Sequence, residues 1–212
     1  RNLEVLLPGW LILVNKEGRR FTDESAPYTV LGGLIQNEGG HAFAVFDETA
    51  RTAAKPSPTS QANWVSDVLH QKAEEGRIFR EETLEDLAAA MQVDVGGLQG
   101  TIEKYNNDVS SGSDTAFFKT QGLQHVTHAP FYGVEIRPAI VCWTGTGVRV
   151  SADTAVMNKQ QKAIPGLYAA GETIGNLHGD RYIGGGGSFG PCIVFGKIAG
   201  ENAARYTRAL NV

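Results

Sequence analysis

Cysteine is scarce in this chain of 212 residues, which has only two, Cys142 and Cys192. They lie far apart in the sequence and do not have the spacing of metal ligands, so neither a disulfide framework nor a zinc site is indicated. We expect both to be buried free thiols in a reducing compartment, with the cytoplasm as the default location.

Long apolar runs are also missing, and none approaches the ~20 residues that a helix needs to cross a bilayer. The chain starts with Arg1-Asn2-Leu3, without methionine and without the pattern of a signal peptide. Its net charge of −4 argues against nucleic acid as the main partner. The composition, 42% hydrophobic and 20% charged, is typical of a globular protein with one large or two small domains.

Glycine, by contrast, is abundant, and four glycines follow one another at Gly184–Gly187. Before them, Leu167–Ala170 predicts a short buried strand after a Pro-Gly turn. After them, Ser188 and Pro191 suit the first turn of a helix. Glycines let a ligand approach the backbone, and a helix N-terminus offers free N–H groups and positive charge. The stretch therefore predicts a site for an anion or another polar ligand.

The same stretch contains the pattern G-x-G-x-x-G at Gly185, Gly187 and Gly190. We do not interpret it as a dinucleotide fingerprint, because it does not directly follow a strand. Too few residues also remain for another strand and an acidic ribose ligand. From the residues alone, a ligand site and a helix entry made for packing stay equally open.

The preceding part of the chain predicts a mixture of strands and helices. Leu11–Val14 and the turn after it predict a hairpin, His41–Phe46 predicts another strand, and the glycine pairs at 32–33 and 39–40 are interpreted as breakers. Three amphipathic helices with a structural role only are predicted at Ala62–Glu75, at Leu84–Met91 with Thr83 as cap, and at Val95–Val109 with Asp94 as cap.

Further strands are predicted towards the C-terminal third. They lie at Phe131–Ile136 and Ala139–Trp143, followed by a hairpin of Val148–Ser151 and Ala155–Met157. A turn of alternating threonine and glycine separates the second strand from this hairpin. We therefore place a domain boundary there, between residues 143 and 144.

Several phrases of the sequence resemble the fumarate reductase/succinate dehydrogenase flavoprotein family, which includes soluble fumarate reductases, urocanate reductases and 3-ketosteroid dehydrogenases. The phrases are ILVNKEGRRFTDE, GLYAAGE, HGDR and GKIAGENAA. The resemblance covers nearly the whole chain. It implies an α+β capping domain at 1–143, which closes over the substrate, followed by the C-terminal strand–loop–helix segment of an α/β FAD-binding domain at 144–212. It also implies a missing N-terminal half that grips the FAD pyrophosphate, so we expect a C-terminal fragment that is inactive alone.

The resemblance implies FAD as the cofactor of the full-length protein. Glu172 matches the glutamate that holds the ribityl or ribose region, and Gly187–Phe189 matches the helix start that points at the pyrimidine edge of the flavin. A helix N-terminus stabilises the negative charge of a reduced flavin. The expected FAD contacts are Gly171, Glu172, Gly184, Gly185, Gly186, Gly187, Ser188 and Phe189.

The family transfers a hydride to or from one carbon of an activated double bond, while a side chain gives or removes a proton at the neighbouring carbon. AVFDETAR places Arg51 at the matching proton donor, and DES places Glu24 at the matching relay glutamate. Because the pKa of arginine exceeds ~12, this role requires a buried carboxylate relay and a closed site. Without the resemblance, the sequence indicates only a solvated loop arginine that forms a salt bridge with Glu48 or Asp47.

For the substrate, Arg181 in HGDR matches an arginine that clamps a carboxylate, although the reductases have one more residue between the histidine and this arginine. The reductases have a substrate-binding histidine where this chain has Trp143, and a second proton-path arginine is replaced by the region of Tyr28. Tyr28 could then act as acid or base, as tyrosines do in the steroid dehydrogenases. The expected substrate contacts besides Arg181 are Tyr28, Trp143, Thr144, His178 and Tyr182.

The sequence therefore predicts part of an FAD-dependent oxidoreductase that reduces or desaturates a carbon–carbon bond next to a carboxylate or carbonyl. Its expected partners are an unsaturated acid or enone and the missing N-terminal half, with neither nucleic acid nor a membrane span. A 3-ketosteroid dehydrogenase-like activity is an alternative, and an L-aspartate oxidase-like activity is less favoured. From another class, the alternative is a stand-alone, non-catalytic ligand-binding or interaction domain.

Overall fold

A computed structural model of the chain describes residues 7–56, 63–138, 145–175, 177 and 188–210, without the side chain of Thr29. The chain divides into two units, Arg1–Ala139 and Ile140–Val212. This division lies a few residues before the boundary that we place from the sequence.

The first unit is built around a four-stranded antiparallel sheet. Its strands are β1 (Ile12–Val14), β2 (Ala42–Asp47), β3 (Phe79–Glu81) and β4 (Phe131–Ile136), in the order β1-β2-β4-β3. β2 and β4 pair along their whole length, from Ala42 opposite Ile136 to Asp47 opposite Phe131. All six residues of β2 are buried, which shows that both faces of the sheet are covered.

Five helices cover the two faces: α1 (Tyr28–Asn37), α2 (Glu48–Ala53), α3 (Ser66–Glu74), α4 (Leu84–Met91) and α5 (Val95–Ser111). Successive side chains of a strand point to opposite faces, so Phe43 and Val45 pack in one core with α4 and α5. Ala44 and Phe46 pack in the other core with residues of α1, α2 and α3. The sheet is therefore the middle layer of three.

Local signals predicted several of these elements well. Thr83 and Asp94 accept hydrogen bonds from the backbone N–H groups of Asp86 and Gly97, which confirms both as helix caps. The hairpin after β1 is confirmed by the antiparallel pairing of Val14 with Arg20. The strand at Phe131–Ile136 is confirmed with the predicted bounds.

The prediction that Gly32 and Gly33 break the chain is wrong, because both lie inside α1. The helix is held instead by the buried side chains of Leu31 and Ile35, which are one turn apart. The other glycine pair, Gly39-Gly40, does follow the helix end, and both residues have positive φ angles.

Gly97 in α5 is required by a close approach of two backbones. The turn between β1 and Arg20 lies against the start of α5, where the backbone N–H of Asp94 donates to the carbonyl of Lys16 at 2.9 Å. A Cβ at Gly97 would overlap the carbonyl oxygen of Glu17. A Cβ at Gly100, three residues later, would meet no atom within 4 Å. The helix therefore has room for a side chain at Gly100 but not at Gly97.

We therefore expect Gly97→Ala to lower the free energy of unfolding by about 1–3 kcal/mol, because the hairpin turn has to move. The matched variant Gly100→Ala is expected to raise it by about 0.5–1 kcal/mol through helix propensity alone. Urea unfolding of the two variants checks this, and equal effects of the same sign would contradict the close approach.

The second unit contains a hairpin and a long helix. β5 (Ala155–Met157) pairs antiparallel with β6 (Ala163–Tyr168), a 3-10 turn follows at Gly171–Thr173, and α6 runs from Phe189 to Leu210. The predicted strand at Ala155–Met157 is thus confirmed. No helix in the described part of the chain is long and apolar enough to cross a membrane.

Two predictions of burial in this unit are wrong. The strand predicted as buried at Leu167–Ala170 is the exposed β6, which ends at Tyr168, and Leu167 keeps 47% of its surface. Cys192, expected to be a buried thiol, is exposed on α6. A two-stranded hairpin and one helix offer too little surface to each other to bury all the apolar residues of both. The other cysteine, Cys142, and the strand predicted at Ala139–Trp143 lie outside the described residues.

Candidate functional site

Arg51 lies on α2 and is bound to Glu48, one turn before it. Its Nε and Nη2 atoms donate to the two carboxylate oxygens of Glu48 at 2.7 and 2.6 Å. Nη1 donates to the carbonyl and hydroxyl oxygens of Ser66 on α3, at 3.2 and 3.3 Å. This geometry is a bidentate, charge-assisted pair, which holds the guanidinium in one orientation. The pairing with Glu48 that the sequence left open is confirmed.

Tyr132 of β4 completes this cluster. Its hydroxyl donates to Glu48 Oε2 at 2.7 Å, and its ring centre lies 6.0 Å from the guanidinium carbon of Arg51. The hydrogen bond from Arg51 is the main cause that lowers the pKa of Glu48 below its usual value. The same hydrogen bond raises the pKa of Arg51. Both groups are therefore held in their charged forms.

Glu24 lies in a different cluster, which is fully buried. Its Oε1 accepts from the backbone N–H of Leu13 at 3.0 Å, and both its oxygens accept from Arg20 at 2.9 Å. Lys119 Nζ lies 3.0 Å from Glu24 Oε2 and donates to the carbonyl of Leu11 at 2.9 Å. Because β1 is an edge strand, these side chains satisfy backbone groups that no neighbouring strand can reach.

Asp114 is the fourth member of what we call the buried charge cluster, namely Arg20, Glu24, Asp114 and Lys119. Arg20 Nη2 donates to Asp114 Oδ2 at 3.0 Å, and the guanidinium lies 4.8 Å from the ring centre of Tyr105. Burial raises the pKa of Asp114, but the hydrogen bond and charge of Arg20 outweigh it and lower the pKa to about 2. Burial lowers the pKa of Lys119 despite the charge of Glu24.

The structure thus places the predicted proton donor and its predicted relay in separate clusters. The hydrogen-bond and ion-pair partners of Arg51 in the described chain are Glu48 and Ser66, whereas those of Glu24 are Leu13, Arg20 and Lys119. No side chain belongs to both sets. The relay role of Glu24 stays a prediction, and the carboxylate that contacts Arg51 is Glu48.

Asp47 is a residue whose importance the sequence reasoning missed. It is fully buried, and its Oδ1 accepts from the N–H of Ala50, which caps α2. Its Oδ2 accepts from the N–H groups of Thr127 and His128 at 2.9 and 3.0 Å. An aspartate directly before a helix is a cap signal that could have been recognised, but its tie to a loop 80 residues later could not.

In the second unit, the segment around Glu172 has features of a ligand contact. Gly171 has a φ of +78°, and a Cβ there would lie 3.2 Å from Cys192 Sγ on α6. Within the described chain, the exposed carboxylate of Glu172 has no hydrogen-bond partner. Nearby, Gly147 and Gly175 cross so closely that a Cβ on either would overlap the other's segment. A carboxylate without a partner in the described chain can accept hydrogen bonds from the ribose hydroxyls of a nucleotide cofactor. The N-terminus of a helix beside it attracts negatively charged groups such as phosphates.

Tyr28, Ser188 and Phe189 are the other predicted site residues that the structure describes. Tyr28 begins α1 and is half-buried. Ser188 precedes α6, and Phe189 starts it with 76% of its surface exposed. The remaining predicted site residues lie outside the described residues: Trp143, Thr144, His178, Arg181, Tyr182, Gly184, Gly185, Gly186 and Gly187.

Comparisons with known proteins agree on one family. A family model described as "FAD binding domain" matches residues 7–188. The chain is 33% identical over 200 residues to an NADH:acrylate oxidoreductase from Vibrio harveyi, and 33% identical over 196 residues to a probable fumarate reductase from Shewanella frigidimarina. These matches cover 94% and 92% of this chain but only 19% and 31% of the relatives.

Among solved structures, the chain resembles a 3-ketosteroid delta1-dehydrogenase from Sterolibacterium denitrificans in complex with 1,4-androstadiene-3,17-dione. The TM-score is 0.72 at 26% identity, over 93% of this chain and 39% of the other. Together with the curated relatives, this match confirms the resemblance that the sequence motifs indicate. The chain spans well under half the length of each of these three proteins.

Proposed function

Because this chain belongs to the FAD binding domain family, we propose that it forms the capping and C-terminal FAD-contacting parts of an oxidoreductase acting on a carbon–carbon double bond. FAD is the cofactor of the family, and the relatives are named as an NADH:acrylate oxidoreductase and a probable fumarate reductase. In this proposal, residues 1–143 are the lid over the substrate, and residues 144–212 complete the flavin site.

When bound, FAD gives or takes the hydride. Glu172 is proposed to bind the ribityl or ribose hydroxyls, with Gly171 providing the close approach. The start of α6 at Ser188 and Phe189, which follows Gly184–Gly187 in the sequence, would stabilise the negative charge of the reduced ring. The fit of these residues supports the roles, since Glu172 is exposed and has no hydrogen-bond partner among the described residues, and α6 is 22 residues long.

Arg51 is proposed to give a proton to the substrate carbon next to the one that receives the hydride, and Arg181 to bind the carboxylate or carbonyl. The observation that carries the proposal is the fixed guanidinium of Arg51. Its side chain is only 11% exposed, and Glu48 and Ser66 hold it from two sides. A proton donor has to be placed within reach of one atom, which an immobile group does at lower entropic cost.

Two substrate classes are compatible with this site, an unsaturated acid and an enone of steroid size. The curated relatives favour the acid. The structural match to a ketosteroid dehydrogenase favours the enone. Trp143, which stands where the reductases have a polar histidine, also favours the enone, because a tryptophan would make a substrate pocket more apolar.

The complete flavoprotein that contains this chain tests the proposal. We expect the purified protein to show flavin absorption and to oxidise a reduced dye with acrylate, fumarate or 1,4-androstadiene-3,17-dione as acceptor. Turnover with the two acids only indicates the first class, and turnover with the dienedione only indicates the second. A complete protein that lacks flavin would overturn the proposal and favour a non-catalytic binding domain.

A further inference from the structure

We propose that the second unit contains a binding groove for a small zwitterion of the amino-acid class, between the hairpin of β5 and β6 and the second half of α6. The groove has a volume of about 690 Å³. Ligand pockets in proteins measure about 300–1,000 Å³. The described residues that line it include none of the proposed flavin contacts, so the inference does not depend on the proposed function.

One face of the hairpin forms the floor of the groove. Ala155 and Met157 lie two residues apart on β5, so their side chains point to the same side of the strand. They pair with Tyr168 and Ala163 of β6, and all four residues line the groove. Because two of the four are alanines, the floor leaves space between the larger side chains of Met157 and Tyr168.

The second half of α6 forms the wall of the groove. Asn202, Arg205 and Tyr206 line it, and their spacing of three and four residues places them on one face of the helix. Asn202 Nδ2 donates to the backbone carbonyl of Asp153 at 3.0 Å, which ties α6 to the turn before β5. At Gly166, whose φ is +75°, a Cβ would lie 3.0 Å from the ring of Tyr206. Wall and floor are therefore joined at two points, and the space between these points stays open.

Two opposite charges line this groove without pairing with each other. Asp153 and Arg205 are both exposed, and neither the carboxylate nor the guanidinium has a hydrogen-bond or ion-pair partner in the described chain. A ligand that carries a carboxylate and an ammonium group can bind both residues at once. Its carboxylate accepts hydrogen bonds from Arg205, and its ammonium group donates to Asp153.

The rest of the lining selects among zwitterions. The thioether of Met157 and the rings of Tyr168 and Tyr206 offer apolar and aromatic surface, which favours a ligand with an aromatic or long aliphatic side chain. A simple anion would bind Arg205 but be repelled by Asp153, and a simple cation would meet the reverse arrangement. The lining therefore fits an apolar α-amino acid better than an ion of one sign.

Calorimetric titration of the complete protein that contains this chain tests the proposal, with L-phenylalanine as the probe. We expect saturable binding at one site. The affinity is expected to be at least about tenfold lower for 3-phenylpropionate, which lacks the ammonium group, and for phenethylamine, which lacks the carboxylate. Each of these two compounds keeps the aromatic ring, so the difference measures the charged contacts.

Two variants assign the charges to their residues. Arg205→Gln is expected to weaken the binding of phenylalanine by at least about tenfold without weakening that of phenethylamine. Asp153→Asn is expected to weaken the binding of phenylalanine likewise, without weakening that of 3-phenylpropionate. The matched control is Arg208→Gln, at an exposed arginine on the same helix that is not among the described lining residues. It should leave all three affinities unchanged.

Three outcomes would overturn the proposal. If phenylalanine does not bind at concentrations up to about 10 mM, the groove is not an amino-acid site in the complete protein. If Arg205→Gln and Asp153→Asn leave its affinity unchanged, it binds elsewhere. If 3-phenylpropionate binds as tightly as phenylalanine, the groove is an anion site. A complete protein that contains no flavin but binds phenylalanine in this groove would overturn the proposed function and leave this inference standing.

Discussion

Replacing Arg51 with alanine is expected to leave FAD bound to the complete protein and to lower kcat by about 1,000-fold. The change removes the proposed proton donor from the proposed lid, and the proposed flavin contacts belong to the second unit. Flavin content is measured by absorption and kcat with the acceptor that the wild-type protein uses. We also expect a loss in kcat rather than a rise in KM, because the interaction matters in the transition state.

A matched control for Arg51→Ala is Arg77→Ala, which removes an exposed arginine paired with Glu75 in the same unit. Surface pairs of this kind contribute little, so flavin content and turnover should both stay at the wild-type level. Arg51→Lys is a stricter variant, because lysine keeps the charge but cannot bind both oxygens of Glu48. We expect it to remain well below wild-type turnover. Near-normal kcat in Arg51→Ala would remove Arg51 from the mechanism.

The elements predicted well from the sequence are those specified by neighbouring residues. Thr83 and Asp94 each bond a backbone N–H three residues later, so a window of a few residues contains the whole signal. The helix α1 is the opposite case, because Gly32 and Gly33 lower its local propensity while the packing of Leu31 and Ile35 stabilises it. Tertiary contacts overrule propensity there, which no local pattern could reveal.

The candidate site shows the same limit. The sequence left Glu48 and Asp47 open as partners of Arg51, and the helix α2 decides for Glu48, because a spacing of three residues on a helix brings the two side chains together. It could not show that Glu24 is used by Lys119 or that Arg20 reaches Asp114, 94 residues away. Choosing between the two carboxylates as partners of Arg51 therefore required the three-dimensional contacts.

Neutralising Glu24 is expected to have the largest effect on the stability of the first unit. Glu24→Gln leaves the buried ammonium of Lys119 without its counter-ion, and breaking a buried pair in this way costs about 3–5 kcal/mol. Adding Lys119→Met removes the unpaired charge. We therefore expect the double variant to be less destabilised than the sum of the single changes, by about 1–3 kcal/mol. Urea unfolding of the four proteins measures this coupling, and additive effects would contradict a shared cluster. The control Glu75→Gln, at an exposed pair, should change stability little.

Asp114 makes the same cluster sensitive to acid. Its pKa is about 2 in the folded protein against a usual 3.8, so the folded state binds this proton less readily than the unfolded state. The resulting stabilisation of about 2 kcal/mol is fully present above pH ~4 and is lost as the pH falls from there through 2. We expect Asp114→Asn to be less stable than wild type at neutral pH and to lose less stability between pH 4 and 2. If the free energy of unfolding of the two proteins falls equally between pH 4 and 2, Asp114 is not the cause of the acid sensitivity. The cluster binds the edge strand β1 and shares no partner with Arg51 in the described chain. We therefore expect acid to unfold the first unit rather than to change a proton-transfer step.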